Sequence, residues 1–168
     1  MDLKAQDNYL IASLDRGLEA LLEFINQPEM SFSTFMKTSN LNKATAKRVL
    51  YTLEKRGFIK YNRYRSVYSL GLRAFEIGTV AAENLPLLRI APPYMESICK
   101  EINETVFLSQ KVGCEQIYLH KIEQEGTVKL TLVARRRPLY YGLGKAMLAY
   151  VPQEEQSNLL PDIIPSYS

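Results

Sequence analysis

NKATAKRVLYTLEKRGFIKYNRYRSVYSL, residues 42–70, contains a helix, a turn and a hairpin in succession. Asn42 is a helix cap, and Lys43, Ala44, Thr45, Lys47 and Arg48 fill the first two turns with short, hydroxylated or basic side chains. Farther on, Val49, Leu50 and Leu53 form an apolar stripe at helical spacing. Gly57 supplies a left-handed residue after the helix and Phe58 is placed to contact Leu53, as in a Schellman motif. A helix with a polar N-terminal half and an anchored C-terminal half suits the major groove, where the N-terminal residues meet base edges. Phe58–Tyr61 and Val67–Leu70 are short β-type runs, and the tip between them sets Arg63 and Arg65 around Tyr64. Such a wing suits phosphate contact or entry of an arginine into a narrow minor groove. The bland alternative is a solvated hairpin tip.

Upstream, two further helices are expected. Ser13 caps the first, Asp15 sits in its first turn, and Leu14, Leu18, Leu21, Leu22 and Ile25 give an apolar stripe that ends before Pro28. Ser31 caps a short second helix holding Phe32, Phe35 and Met36, which stops at Ser39 and Asn40, with Leu41 in the corner. Three helices and a hairpin make a winged helix-turn-helix.

Charge supports that reading. Lys37 to Arg73 holds ten basic residues against the single acid Glu54, a local charge of +9, whereas the whole 168-residue chain is only +3. The other eleven basic and seventeen acidic residues sum to −6, as in a nucleic-acid-binding module joined to an acidic domain. At 46% hydrophobic the chain can bury a core. No run of about 18 apolar residues suggests a membrane span, and Asp2 and Asp7 around Lys4 do not resemble a signal peptide, so a cytoplasmic protein is expected. Cys99 and Cys114 are isolated and read as buried, reduced thiols.

From Gly71 to about Leu85, the residues Leu72, Phe75, Thr79 and Ala82 give a helix with a small apolar seam, ended by Pro86. Pro93 sits in the first turn of another helix through Tyr94, Met95, Ile98 and Ile102. Three antiparallel strand-like runs follow, Thr105–Val112, Gln116–Ile122 and Val128–Val133, then helices over Gly144–Tyr150 and from Pro152. Arg135, Arg136 and Arg137 read as a solvated loop, with binding of an anionic metabolite or of DNA as the alternative. Catalytic chemistry is sparse: His120 is the only histidine and points toward solvent or a polar edge, and neither cysteine has evident triad partners. Gly142-Leu143-Gly144-Lys145 fails as a phosphate loop, since Leu139 and Ala146 stand where Gly and Ser or Thr are needed. No enzyme activity, catalytic residue, metal or cofactor is expected.

The order Ser13–Leu18, Leu41–Arg48, Leu53–Phe58 and Tyr68–Gly71 resembles the DNA-binding domain of the IclR family of bacterial transcription regulators. Leu88–Pro92, Glu104–Val106, Ile117–Glu123, Pro138-Leu139 and Leu143–Ala146 resemble the family's small-molecule-sensing domain, which is GAF-like. Where the family often has Pro-Lys-Ser-Thr, this chain has Asn42-Lys43-Ala44-Thr45, and the lost hydroxyl at Ala44 bears on which sequence is read. Tyr140-Tyr141-Gly142 is shorter and bulkier than the family's loop. Family members also run on for roughly another half-domain, so a chain ending at Ser168 is expected to be a truncated product, an engineered fragment or a natural short variant.

The resemblance implies an α+β protein: residues 1–71 a winged helix-turn-helix domain, 72–90 a linker and dimerisation helix, 91–168 a partial effector-binding domain. It implies double-stranded DNA with a near-palindromic operator as partner, a homodimer or dimer of dimers, and a small organic acid or similar metabolite as effector, with the response impaired by the short C-terminus. DNA-binding candidates are Lys43, Ala44, Thr45, Lys47, Arg48, Arg63 and Arg65. Ser109, Tyr140, Gly142 and Leu143 are effector-pocket candidates by position, with core or turn packing as their alternative. The competing function is a winged-helix adaptor that binds protein without reading DNA.

Overall fold

Two side-chain caps, two left-handed turns and one aromatic pair organise much of the first half of the chain. In a computed structural model, which describes residues 9–123 and 136–161, the helices α1 (Ala12–Asn26), α2 (Phe32–Thr38) and α3 (Lys43–Lys55) surround a core of Ala20, Phe24, Met30, Phe35, Ala46, Leu50 and Ile59. Each of these side chains is at most 2% exposed. Phe24 and Phe35 meet with ring centroids 5.9 Å apart, tilted by 30°.

Ser31 caps α2, its Oγ accepting the Thr34 N–H at 3.1 Å. Asn40 adopts φ 50 and turns the chain, and Leu41 packs against the core with its N–H on the Met36 carbonyl. Asn42 caps α3, its Oδ1 accepting the Thr45 N–H at 2.9 Å. At the other end Gly57 has φ +77, and its N–H reaches the Glu54 carbonyl while that of Phe58 reaches Leu53, both at 2.9 Å. These two bonds are the Schellman pattern.

The start of α1 departs from expectation. Its cap is Ile11, whose side chain makes no capping bond, and Ser13 lies inside the helix. The Leu14 and Asp15 N–H groups bond to the Ile11 carbonyl instead, at 2.8 and 3.0 Å, so the turn closes two residues before Ser13. The expected apolar stripe is also displaced. Ala20 and Phe24 are buried and Leu21 packs beside them, whereas Leu14, Leu18 and Leu22 remain 57%, 52% and 59% exposed and Ile25 is exposed too. This helix has apolar residues on two sides, and the side bearing the aromatic ring takes the core.

The strands β1 (Glu29–Met30), β2 (Ile59–Asn62) and β3 (Val67–Leu70) form an antiparallel sheet in the order β1-β3-β2. The hairpin pairs Ile59 with Leu70 and Asn62 with Val67. Its turn is held by Asn62, whose Oδ1 accepts the Tyr64 and Arg65 N–H groups at 3.0 and 3.1 Å, and by Ser66 at φ 53. Strand β1 pairs Glu29 with Ser69 and Met30 with Tyr68. Two residues are too few for any alternation to announce such a strand. A Cβ at Gly71 would run into the Gly57 carbonyl, which explains glycine where β3 leaves the sheet.

Helix α4 (Leu72–Glu83) buries no residue: Leu72 is 78% and Phe75 70% exposed, while Thr79 and Ala82 are half-buried. The compact units are Met1–Ala82 and Glu83–Ser168. In the second unit, Pro86 opens α5 (Pro86–Ile90) at its first turn rather than only ending the helix before it. Helix α6 (Pro92–Ile102) buries Met95 and Cys99 and ends at Asn103 with φ 55. It lies on an antiparallel sheet of β4 (Val106–Val112), β5 (Glu115–Ile122) and β6 (Arg136–Pro138), in that order.

The run expected over Val128–Val133 falls outside the described residues. Arg136 and Arg137, expected in a loop, belong to β6 and pair with Ile117 and Gln116; Arg135 is outside the described residues. Cys114, expected buried, is exposed, because it sits in the turn between β4 and β5. Helices α7 (Gly144–Leu148) and α8 (Gln153–Leu159) close the unit, with Gln156 Nε2 donating to the Leu148 and Val151 carbonyls.

Candidate nucleic-acid interface and sensing site

In α3 the core takes Ala46 and Leu50, with Val49 and Leu53 half-buried beside them. Residues three and four apart share a helix face, so the side turned away from the core carries Ala44, Lys47, Arg48, Tyr51 and Lys55, all exposed. Lys43 is exposed at the first position and Thr45 is half-buried at the cap. Tyr51 is 63% exposed with the Lys55 ammonium 6.0 Å from its ring centroid. Sequence reading passed over Tyr51, although its place three residues beyond Arg48 puts it on the same face. An open cleft of about 520 Å³ runs between α1 and α3, lined by Leu14, Leu18 and Leu21 on one side and Val49 and Leu53 on the other.

The wing presents Arg63, Tyr64 and Arg65, all exposed. Tyr64 is fully exposed at the tip. The two arginines differ. Arg65 engages Glu29 of β1 through two contacts, Nη1 to Oε1 at 2.7 Å and Nη2 to Oε2 at 2.6 Å. Arg63 has no ion-pair partner among the described residues. At the base of the wing, Tyr61 and Tyr68 meet with ring centroids 4.7 Å apart, tilted by 42°. Burial pushes the Tyr68 phenol up from its ordinary pKa, and the Glu54 carboxylate and Tyr61 add to the shift.

In the second unit Ser109 lies on β4 beside a register shift and pairs with Tyr118 of β5. Tyr118 is buried, packs edge-on to Phe107 at 5.7 Å, and places its hydroxyl 2.9 Å from where a Cβ on Gly142 would stand. The structure thus brings Ser109 and Gly142 to the same tyrosine. Tyr140 is half-buried on the turn leading to Gly142, and Leu143 is exposed just before α7. Gln116, fully buried, donates from Nε2 to the Tyr141 carbonyl and so ties this turn to β5; its Oε1 has no partner among the described residues. A Cβ on Gly144 would strike the Leu139 backbone, so α7 can begin only where glycine stands. Sequence reading missed Tyr118 and Gln116, whose signal was their position two apart in a half-buried strand. His120 is half-buried on β5. Among the described residues no group of three or more His, Cys, Asp or Glu side chains could hold a metal, and no helix is long and apolar enough to cross a membrane.

Three helices followed by a β-hairpin, with a basic exposed third helix, define the first unit as a winged helix-turn-helix. A family model described as the IclR helix-turn-helix domain matches residues 13–63, and one described as bacterial transcriptional regulator IclR C-terminal matches residues 79–165. The chain belongs to the IclR family of bacterial transcriptional regulators. It is 37% identical over 142 residues to the HTH-type transcriptional regulator KipR of Bacillus subtilis (strain 168), covering 83% of this chain and 56% of KipR. It is 28% identical over 148 residues to the regulator KdgR of Escherichia coli (strain K12), covering 87% and 55% of the two chains. It therefore spans little more than half the length of these relatives. An IclR-type regulator from Alicyclobacillus acidocaldarius superposes with a TM-score of 0.80 at 23% identity, over 95% of this chain and 66% of that one. An IclR homolog from Microbacterium hydrocarbonoxydans, solved with 4-hydroxybenzoate, gives 0.74 at 23% identity, over 91% and 65%.

Proposed function

We propose that this protein is a cytoplasmic, sequence-specific DNA-binding transcriptional regulator. The observation that carries the reading is α3, capped by Asn42 and anchored by a Schellman turn, with Lys43, Lys47 and Arg48 exposed in its first two turns beside a basic wing. In this reading α3 enters the major groove with Lys43, Ala44, Thr45, Lys47 and Arg48 against the DNA, Lys47 and Arg48 reaching base edges, and Arg63 contacts phosphate. Residues 1–71 act as the DNA-binding domain, 72–90 as the linker and 91–168 as a partial sensing domain. The relatives' names as transcriptional regulators favour this over the protein-binding adaptor.

The operator-binding species is a homodimer or a dimer of dimers. Support comes from the apolar residues that the isolated chain leaves exposed on α4, Leu72, Phe75, Ile77 and Val80, and on α1, Leu14, Leu18 and Leu22. Leu14, Leu18 and Leu22, four apart, line one face of α1, while Leu72 with Phe75 and Ile77 with Val80, three apart, occupy two sides of α4, more than scattered surface residues explain. A two-fold dimer reads a near-palindrome whose half-sites lie about one helical turn, or a multiple, apart. The second unit holds the binding site of a small organic acid or similar metabolite near Ser109, Tyr140, Gly142 and Leu143, a class suggested by the 4-hydroxybenzoate held by the Microbacterium homolog. A salt-titrated gel shift on fragments of the gene's own upstream region tests the DNA reading. Salt-sensitive binding that survives competitor DNA is expected, and no binding at low salt would overturn it.

A further inference from the structure

Resting on the DNA-binding reading, we infer that Glu29 and Arg65 form a strut that sets the wing's position, so that Arg65 is a positioning residue and the tip of the wing offers DNA one net positive charge, that of Arg63. Arginine's planar fork matches a carboxylate in two parallel contacts. Arg65 makes both, at 2.7 and 2.6 Å, to one Glu29 carboxylate.

The two residues stand 36 positions apart. Glu29 is in β1, at the edge of the three-stranded sheet, and is fixed there by pairing with Ser69. Arg65 is in the turn joining β2 and β3, whose backbone Asn62 already orders. The hairpin strands hold the base of the wing. The ion pair adds a brace from a third strand to its tip, limiting how the tip leans.

The charge consequence is specific. Between Lys37 and Arg73 ten basic residues face one acid, Glu54. Glu29, just outside that segment, delivers a carboxylate to the wing and neutralises one of its two arginines. A free arginine at the tip would add a phosphate contact on any sequence, and sequence-independent contacts raise non-specific binding as much as specific binding. The strut therefore gives up general affinity for a defined wing orientation. Exposed ion pairs add little to global stability, so its effect is to be sought in selectivity rather than in the melting temperature.

The test uses the full chain and its Arg63→Ala, Arg65→Ala, Arg65→Lys and Glu29→Gln variants and the Arg65→Ala, Glu29→Gln double variant, each first shown to melt cooperatively. Binding to a random-sequence duplex is measured against salt, and binding to the upstream fragment is compared with it. Each phosphate contact contributes about 0.9 to the slope of log K against log salt. Arg63→Ala should flatten the slope by about 0.9. Arg65→Ala combined with Glu29→Gln, which leaves the tip the charge of Arg63 alone, should keep the wild-type slope but lose preference for the upstream fragment, and Arg65→Lys should lose preference too, since an ammonium cannot fork. Glu29→Gln should steepen the slope by about 0.9 and lose preference. A slope flattened by the Arg65→Ala, Glu29→Gln double variant as much as by Arg63→Ala, or unmoved by Glu29→Gln alone, overturns the inference.

Hydrogen exchange of the free protein supplies a readout that needs no DNA. The Tyr64 and Arg65 amides should exchange faster in Glu29→Gln and Arg65→Ala, and unchanged rates in both would overturn the strut. Should the wild type itself fail to bind DNA, the functional reading falls, while these exchange rates still decide whether the strut orders the wing.

Discussion

At the scale of single residues, the side chains that matter most are those whose surroundings leave them one role. Lys47 and Arg48 sit two and three positions beyond the cap-bonded Thr45, on the face of α3 turned from the core. Replacing either with Ala should weaken operator binding, by about 1–3 kcal/mol with relaxed preference at one position if it reads a base edge. A binding-site selection run on both mutants checks this, and unchanged affinity and selectivity would remove α3 from the groove. Gly71 is the counterpart within the fold. Its Cβ would meet the Gly57 carbonyl, so Gly71→Ala should cost about 1–3 kcal/mol through forced backbone shifts. Chemical denaturation showing no loss would mean the two turns can move apart freely.

At the scale of elements, capping separates what local sequence can decide from what it cannot. The Asn42 and Ser31 caps are both formed, and each is a local event between residues three apart. Asn42→Ala should lower stability by about 1 kcal/mol. Ser13, a similar candidate by residue type, caps nothing, so Ser13→Ala should leave the unfolding midpoint nearly unchanged. Equal losses in the two variants would place the start of α1 at Ser13 after all. The Schellman turn at Gly57 and the left-handed Asn40 were legible for the same local reason. Strand β1 was not, because a two-residue strand exists only through its partner β3.

At the scale of the molecule, the apolar surface left on α1 and α4 is the quantity to test. If α4 pairs two chains, Phe75→Glu would place an unpartnered charge in a buried contact. Sedimentation should then show the wild type as a dimer and the mutant as a monomer. A mutant that remains dimeric, or a wild type monomeric at high concentration, would refute α4 as a contact. The half-site spacing of a selected operator, about one helical turn or a multiple, checks the same assembly from the DNA side.

The sequence by itself determined the helices around residues 32–55, their caps and turns, the hairpin, and the concentration of positive charge between Lys37 and Arg73. All of these rest on interactions within a few residues or on composition, which the linear order displays directly. Tertiary structure decided what depends on partners far along the chain. It chose Ala20 and Phe24 over Leu14, Leu18 and Leu22 as the buried side of α1, because the Phe24 ring meets Phe35. It set Tyr118 against Gly142 and Gln116 against Tyr141, where turn and strand meet only after the sheet forms. It also separated Arg63 from Arg65, two like residues on one hairpin tip: a guanidinium's role follows from the charge within reach, and Glu29 comes within reach only when β1 joins the sheet.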